Sequence, residues 1–228
     1  MHPLDNVIWQ ALTTRQAHFA EGSGAGRRFI PDVSPLAAIE EVGPAGYREL
    51  AALLDPDDTL GIFLDDPYSP VSGWSYVVGA PLLQMICDNG KANGKHPSEP
   101  PALLELGDKD SPEMIALTAL TKPGPFGPRT HEFGKYLGIR ADGELVAMAG
   151  ERLKVDGHTE VSAVCTHPNH IGKGYAAILM KAVMHGIRER GEIPFLHVRE
   201  NNTRAIEIYK RLGFRVRKSG HFAVLRKA

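Results

Sequence analysis

A chain of 228 residues with 43% hydrophobic and 23% charged residues can form one large domain or two small ones, and this composition excludes a disordered or fibrous protein. Its two cysteines, Cys87 and Cys165, lie far apart in apolar segments, which argues against a disulfide framework and predicts a reducing, cytoplasmic setting. The longest apolar segment, Trp74 to Cys87, is interrupted by Pro81 and is too short to span a bilayer, so we expect no membrane association.

The net charge of −1 hides an asymmetry along the chain. Residues 167–228 carry 13 Lys and Arg against 4 Asp and Glu, whereas residues 1–166 carry 13 against 23. A basic region raises the local concentration of anions and therefore predicts an anionic partner. Because the basic residues alternate with core-forming segments and form no nucleic-acid-binding motif, we expect a small polyphosphate ligand and no nucleic acid. The alternative is a solvated helix face whose charges balance the acidic part of the chain.

The amino-terminal part, residues 1–100, is predicted to be an α/β region, because segments with helical apolar spacing precede short β-type segments. The segment 88–101 is rich in Gly, Pro and Lys, and it marks the boundary of a second region, residues 101–228. The predicted elements before this boundary are helices over 5–21 and 47–54 and strands over 58–64 and 74–78.

The second region is predicted to be a mixed sheet with helices on both faces, because strands and helices alternate along it. Ser111 and Gly213 are typical of a helix start and a helix end, respectively. The predicted strands cover 103–106, 136–140, 144–155, 159–166, 195–199, 214–217 and 222–225, and the predicted helices cover 111–120, 173–190 and 202–212.

The most informative segment runs from Val164 to Ala177, where a strand ends and Gly172 and Gly174 precede a long helix. The first N–H groups of a helix have no intrahelical partners, and the helix dipole places partial positive charge there. Glycine lets a large anion approach that backbone closely, so the segment predicts a diphosphate-binding turn. The alternative is a tight turn in which the glycines serve only the backbone angles.

Two nucleotide-binding patterns match this segment poorly. The P-loop pattern fails because Lys173 is followed by Gly174 and not by Ser or Thr. Gly172, Gly174 and Ala177 match the dinucleotide fingerprint, but its first glycine follows the strand directly, and here five residues separate Thr166 from Gly172. A dinucleotide-dependent enzyme stays a minor alternative.

The segment from Glu160 to Ala176 resembles the acyl-CoA-binding motif of the GNAT superfamily of N-acetyltransferases. That motif reads Arg or Gln, two residues, Gly, one residue, and Gly or Ala. Ile171 stands at its first position, which keeps the backbone N–H but loses a side-chain contribution to phosphate binding. The residues that the resemblance implies to bind acyl-CoA are Val164, Cys165, Thr166, Ile171, Gly172, Lys173, Gly174, Tyr175 and Ala176.

The segment from Asn202 to Phe214 resembles the second GNAT motif, Asn-x-x-Ala-x-x-x-Tyr-x-x-x-Gly-Phe. The resemblance implies that Asn202, Ala205 and Tyr209 contact the donor and that Tyr209 is the general acid. A positioned phenol can protonate the thiolate that leaves when an amine attacks a thioester. The alternative is an ordinary stripe of core residues on one helix face.

Glu160 is the leading candidate for the general base, because the resemblance places its strand beside the thioester. An amine acceptor is mostly protonated at neutral pH and must lose a proton before it attacks. An ordered water is the alternative base. Backbone N–H groups near Val164 are expected to polarise the thioester carbonyl.

Acceptor contacts are expected from the Pro- and Gly-rich loop 122–132, where Phe126, Arg129 and Glu132 are the candidates. Cys165, His167 and His170 form a sparse metal-ligand pattern without a fourth ligand, so we expect no metal. Cys165 as a covalent nucleophile is a weak alternative, because its apolar setting is typical of a small core residue.

The sequence therefore predicts a GNAT-fold acyltransferase domain over residues 101–228. We expect direct attack of a primary amine of a small molecule or peptide on acetyl-CoA, with both held in a ternary complex. The amino-terminal part is interpreted as a degenerate copy of the same fold or as a lid over the acceptor site. The competing hypothesis is a non-catalytic module that binds acyl-CoA as a sensor.

Overall fold

The structure, a computed structural model, describes residues 2–88 and 101–228. The helices in these two ranges are α1 Val7–Thr13, α2 Pro44–Ala52, α3 Ser111–Thr121, α4 Tyr175–Glu189 and α5 Thr203–Arg211. The strands are β1 Ala20–Glu21, β2 Gly26–Phe29, β3 Ala37–Ile39, β4 Thr59–Leu64, β5 Trp74–Ile86, β6 Leu104–Leu106, β7 Tyr136–Ala141, β8 Glu144–Val155, β9 His158–Thr166, β10 Ile193–Arg199 and β11 Arg215–Lys227. The expected mixed α/β fold class is confirmed.

One large sheet organises the chain. Its eight strands lie in the order β4-β11-β5-β10-β9-β8-β7-β6, and a separate three-stranded sheet has the order β1-β2-β3. Strands β9 and β10 pair in parallel, whereas their other neighbours in the sheet run antiparallel to them. Strands β4 and β5 precede the predicted boundary at residue 101, yet they pair with β11 and β10 beyond it. The sheet is therefore continuous across that boundary, and most of the predicted linker, 89–100, lies outside the described residues.

Helices α1 and α4 cover opposite faces of the sheet. Leu196 and Val198 of β10 pack in the same cluster as α4, whereas Phe195 packs in the cluster that contains α1. Successive side chains of a strand point to opposite faces. We therefore distinguish an α4 face, toward which Leu196 and Val198 point, from an α1 face, toward which Phe195 and His197 point.

The predicted pair of strands at the end of the chain is wrong. Residues 215–227 form the single strand β11, which is continuous because it is hydrogen-bonded to β4 on one side and to β5 on the other. Gly220, in the middle of β11, lets the Leu64 carbonyl approach to 2.8 Å from the position that a Cβ atom would occupy. A residue typical of a turn therefore serves close strand packing here.

Two other elements differ in length from the prediction. Helix α1 ends at Thr13, and a 3-10 turn at Ala17–Phe19 and strand β1 at Ala20–Glu21 occupy the rest of the predicted helix. Strand β5 continues through Pro81 to Ile86. Pro81 is tolerated because β10 pairs with β5 only from Leu82 onward, so the missing N–H falls beyond the ladder. No helix in the described ranges is long and apolar enough to cross a membrane.

Candidate active site

Strands β9 and β10 separate to open a cleft in the middle of the sheet. They are paired only where His158–Glu160 lies beside Ile193–Phe195, although β9 continues to Thr166 and β10 to Arg199. Ala163 has a positive φ of 51°, and the register between β8 and β9 shifts at this point. Such a bulge bends a strand and increases its twist. The gap belongs to a cleft of about 1210 Å³.

This cleft, which we call the donor cleft, passes through the sheet. Met180 and Val198 line it from the α4 face. Phe63, His197 and Phe222 line it from the α1 face. A molecule that enters along α4 therefore reaches groups on the opposite face of the sheet through the gap between β9 and β10.

The start of α4 forms one end of the donor cleft. Gly172 and Gly174 have φ angles of 90° and 78°, which side-chain-bearing residues rarely adopt, and a Cβ at either position meets nothing within 4 Å. Helix α4 has no side-chain cap from any residue that the structure describes, and its first turn contains no acidic residue. Its first N–H groups therefore lack a side-chain acceptor among the described residues and are suited to an anion. Gly172, Gly174, Tyr175 and Ala176 line the cleft, as does Ile171, which is 50% exposed.

Unpaired cations surround the donor cleft. Lys122, Arg199, Arg204 and Arg211 line it, and none of them forms an ion pair with a described residue. Its lining also contains Glu207, which pairs with Lys210 at 3.2 Å. Lys173 does not line the cleft; its Nζ lies 3.1 Å from Nδ1 of His170. The excess of positive charge fits a polyanionic ligand.

The second motif places three side chains on the wall of the donor cleft. Asn202 caps α5, because its Oδ1 accepts a hydrogen bond from the Ala205 N–H at 3.2 Å. Ala205 and Tyr209 follow on the same helix and also line the cleft. Burial raises the pKa of Tyr209 to about 12. The phenol is therefore protonated at neutral pH and available as a proton donor.

Glu160 is completely buried and is held in a network of hydrogen bonds. Its carboxylate accepts hydrogen bonds from Nε and Nη2 of Arg152 at 2.8 and 2.7 Å and from the Leu153 N–H at 3.3 Å. Burial alone raises a carboxyl pKa, but the Arg152 guanidinium and His197 outweigh it and lower the pKa of Glu160 to about 2. Glu160 is therefore ionised, with its oxygens engaged, which does not suit direct abstraction of a proton from an amine.

His197 connects this network to the donor cleft. Its Nδ1 lies 2.7 Å from Oε1 of Glu160, and its Nε2 lies 3.1 Å from Nε2 of Gln84. The Gln84 amide donates to the Leu4 carbonyl at 2.9 Å, and its Oε1 accepts from Arg217 at 2.7 Å. These two contacts fix which end of the amide is the donor, so Gln84 donates to Nε2 of His197.

The hydrogen-bond pattern defines the tautomer of His197. Because Glu160 accepts from Nδ1 and Gln84 donates to Nε2, the proton is on Nδ1 and the lone pair is on Nε2. A carboxylate that orients an imidazole in this way leaves the opposite nitrogen able to accept a proton. The arrangement is chemically suited to general-base catalysis at His197.

The other residues that the sequence singled out on β9 have different roles. Val164, Cys165 and Thr166 line the donor cleft, as expected for contacts with an elongated ligand. Burial raises the pKa of Cys165 to about 11, so its thiol is a poor nucleophile at neutral pH. Within residues 2–88 and 101–228, no cluster of His, Cys, Asp or Glu side chains is arranged to hold a metal ion.

The three expected acceptor contacts lie away from the donor cleft. Arg129 and Glu132 form an ion pair at 2.6 Å on the surface, and Phe126 packs its ring 5.7 Å from that of Tyr136. None of the three lines the cleft. Their part of the loop is anchored to the amino-terminal part, since the Arg129 N–H donates to the Asp32 carbonyl. Residues 121–125, earlier in the same loop, line the cleft instead.

Sequence reasoning missed His197, Arg152 and Gln84. A signal for His197 was present, because an imidazole in the otherwise apolar segment from Phe195 to Val198 needs a buried partner. Its partner Glu160 is 37 positions away in the sequence. Only the pairing of β9 with β10 brings the two together.

Known proteins share this architecture. Residues 136–223 match the FR47-like protein family. The crystal structure of an acetyltransferase assigned to the GNAT family from Novosphingobium aromaticivorans is 40% identical in sequence, covers 100% of both chains and superposes with a TM-score of 0.91. A GCN5-related N-acetyltransferase from Kribbella flavida is 18% identical, covers 98% of this chain and 95% of its own, and has a TM-score of 0.64.

A third structure, a GCN5-related N-acetyltransferase-like protein from Streptococcus suis, is 12% identical, covers 99% of this chain and 94% of its own, and has a TM-score of 0.60. At such low identities, the second and third structures support the fold alone. No curated protein sequence matches the chain. The fold expected from the two sequence motifs is confirmed.

Proposed function

The chain belongs to the GNAT family of acetyltransferases, and we propose that it transfers an acetyl group from acetyl-CoA to a primary amine in a ternary complex. The observation that carries the proposal is the convergence of three features on one cleft. These are the open start of α4, the phenol of Tyr209, and the imidazole of His197 with its lone pair on Nε2. A sensor that only holds acyl-CoA has no need for the third feature.

The start of α4 binds the diphosphate of the donor in this proposal. The first-turn N–H groups donate hydrogen bonds to the phosphate oxygens, Gly172 and Gly174 leave room for the phosphates, and Arg199, Arg204 and Arg211 supply positive charge. The pantetheine arm lies in the gap between β9 and β10, beside Val164 and Thr166. Acetyl-CoA supplies an activated thioester, which the backbone N–H of Val164 polarises.

The reaction needs one proton acceptor and one proton donor. The amine nitrogen forms a bond to the thioester carbonyl carbon, and the carbon–sulfur bond breaks. Nε2 of His197 takes the proton that the amine loses, when the amine replaces Gln84 as its hydrogen-bond donor. Tyr209 gives its hydroxyl proton to the leaving sulfur. Holding both reactants beside each other supplies much of the rate by proximity.

Glu160 is a positioning residue in this mechanism. It keeps the His197 proton on Nδ1 and stabilises the imidazolium that forms when Nε2 accepts a second proton. Arg152 keeps Glu160 ionised within the sheet. Glu160, which the sequence suggested as the general base, therefore acts through His197 in this proposal.

Two measurements on the purified protein test the proposal. Isothermal titration calorimetry with acetyl-CoA and with NAD should detect binding of the first and not of the second. A thiol-release assay with acetyl-CoA and a panel of small amines and peptides should give amine-dependent turnover. Binding of acetyl-CoA without release from any amine would favour the sensor, and binding of NAD alone would favour a dinucleotide enzyme.

A further inference from the structure

A second cavity of about 560 Å³ adjoins the donor cleft on the α1 face. Its walls come from the residues before and within α1, from β3 and β4, from the segment after β4, and from the middle of β11. Phe63, Leu82 and His197 line both cavities. The two spaces therefore meet at the imidazole, and we call the second one the acceptor cavity.

The lone pair of His197 is directed toward the acceptor cavity. Gln84, which donates to Nε2, lines this cavity and does not line the donor cleft. Glu160, which accepts from Nδ1, is completely buried on the other side of the ring. An amine in the acceptor cavity can therefore reach Nε2 in place of the Gln84 amide.

Negative charge dominates the acceptor cavity. Asp5, Glu40, Asp65 and Asp66 line it, and Lys218 is the one lysine in its lining within the described ranges. Asp65 pairs with Lys218 at 2.6 Å, and Asp5 pairs with Arg217. The carboxylates of Glu40 and Asp66 have no ion-pair partner in the part of the chain that the structure describes. Two carboxylates are therefore free to hold a cation.

The rest of the lining suits an alkyl chain with polar ends. Val7, Ile39, Tyr47, Ile62 and Val71 contribute apolar surface. His221 also lines the cavity, and its buried Nδ1 has no hydrogen-bond partner among the described residues. A ligand that forms a hydrogen bond with this nitrogen would satisfy it. The volume is that of a small-molecule site, which does not favour a protein acceptor.

We propose that the acceptor cavity binds a small aliphatic diamine or polyamine as the acyl acceptor, a claim that rests on the function proposed above. One amine lies at Nε2 of His197, and a second, protonated amine is held by Glu40 and Asp66. Amino acids are disfavoured as acceptors because no unpaired cation in the described lining of the cavity is available to bind their carboxylate. Among the described residues, Lys218 is the only lysine or arginine that lines the cavity, and it is paired with Asp65. A ligand carboxylate would face these acidic groups without a compensating charge.

Three acceptors of matched length test the charge preference. With saturating acetyl-CoA, 1,4-diaminobutane should give a kcat/KM at least about tenfold above that of 1-butylamine, since the second ammonium gains a charged contact of about 1.4 kcal/mol. The amino acid 4-aminobutanoate should be the poorest of the three. Equal values for the diamine and the monoamine would overturn the proposal.

Variants separate the cavity from the chemistry. Calorimetry without the donor should give a Kd for 1,4-diaminobutane that rises roughly tenfold in Glu40→Gln and in Asp66→Asn. Glu41→Gln is the matched control, because Glu41 is exposed and does not line the cavity. Diamine binding that is absent, or that neither variant weakens, contradicts the proposal. Variant-sensitive binding without any turnover supports the cavity and counts against the proposed function alone.

Discussion

The donor cleft and the acceptor cavity share His197 but carry opposite charges. The donor cleft has four unpaired cations among the described residues, and the acceptor cavity has two unpaired carboxylates, Glu40 and Asp66. Between them lies a network in which Glu160 and Arg152 neutralise each other. The contrast supports the proposal that a polyanionic donor and a cationic acceptor bind on the two sides of one imidazole.

The largest expected effect comes from removing the shared group. His197→Ala should lower kcat by about 10²- to 10⁴-fold, the usual contribution of a positioned acid or base, while the Kd for acetyl-CoA stays within about twofold. Steady-state kinetics and calorimetry measure the two quantities. His185→Gln is the control, since His185 is exposed on α4. Normal turnover in His197→Ala would show that the imidazole between the two cavities is not the general base.

The next effect concerns the network between the two cavities. Glu160→Gln should lower the free energy of unfolding by about 3–5 kcal/mol at pH 7, because it leaves the buried Arg152 without a counter-charge. Urea denaturation measures this loss. Glu132→Gln, which breaks the surface pair with Arg129, should cost at most about 1 kcal/mol. Similar losses in both variants would show that the buried Arg152–Glu160 pair stabilises the fold no more than the surface pair does.

The Glu160 carboxylate should also make the free energy of unfolding depend on pH in the acid range. Its pKa falls from an ordinary value of 4.5 to about 2 on folding, so between these values the folded protein binds fewer protons than the unfolded chain. The stability from Glu160 is therefore complete above pH 4.5 and declines as the pH falls toward 2. In Glu160→Gln this part of the acid dependence should disappear from the denaturation profile.

Removing the proton donor for the leaving thiolate should lower kcat less than removing His197 does. Tyr209→Phe should lower kcat by about 10- to 100-fold, with the Kd for acetyl-CoA nearly unchanged, because the ring keeps its packing and only the proton donor is lost. Stopped-flow measurement of thiol release gives the rate of the chemical step. An unchanged rate would remove Tyr209 from the chemistry and leave it as a wall residue.

The smallest effect concerns the start of α4. Gly174→Val should weaken acetyl-CoA binding about tenfold, because a side chain at a positive φ disturbs the turn and obstructs the amides. Gly143→Val is the matched control, since Gly143 also has a positive φ and open space around its Cβ position but lies in the β7–β8 turn. Both variants should lose stability, and only Gly174→Val should lose affinity. Equal affinities would contradict the diphosphate-binding turn.

Local patterns identified residues that line the donor cleft better than residues that line the acceptor cavity. The residues around Gly172 and Gly174 were identifiable because the strand, the turn and the helix that form the donor side follow each other in sequence. The acceptor cavity combines residues near position 5 with residues near positions 40, 65 and 220, which no local pattern connects. Phe126, Arg129 and Glu132 were chosen from loop composition, and composition does not reveal which side of a loop faces a cleft.

Helices and strands with clear local patterns were likewise predicted better than a strand that depends on distant segments. Helix α4 and the hairpin of β7 and β8 have clear periodicity and turn residues, and they were predicted within a few residues of their bounds. Strand β11 was divided because Ser219 and Gly220 are typical of a turn. Its two neighbouring strands, β4 and β5, supply the hydrogen bonds that keep it continuous. That pairing depends on segments more than 100 positions earlier in the chain.

The most direct test is a crystal structure of the protein with coenzyme A and 1,4-diaminobutane. We expect the diphosphate at the N–H groups that open α4, the sulfur beside the Tyr209 hydroxyl, and one amine within hydrogen-bond distance of Nε2 of His197. A diphosphate bound elsewhere, or a diamine outside the cavity lined by Glu40 and Asp66, would contradict the account.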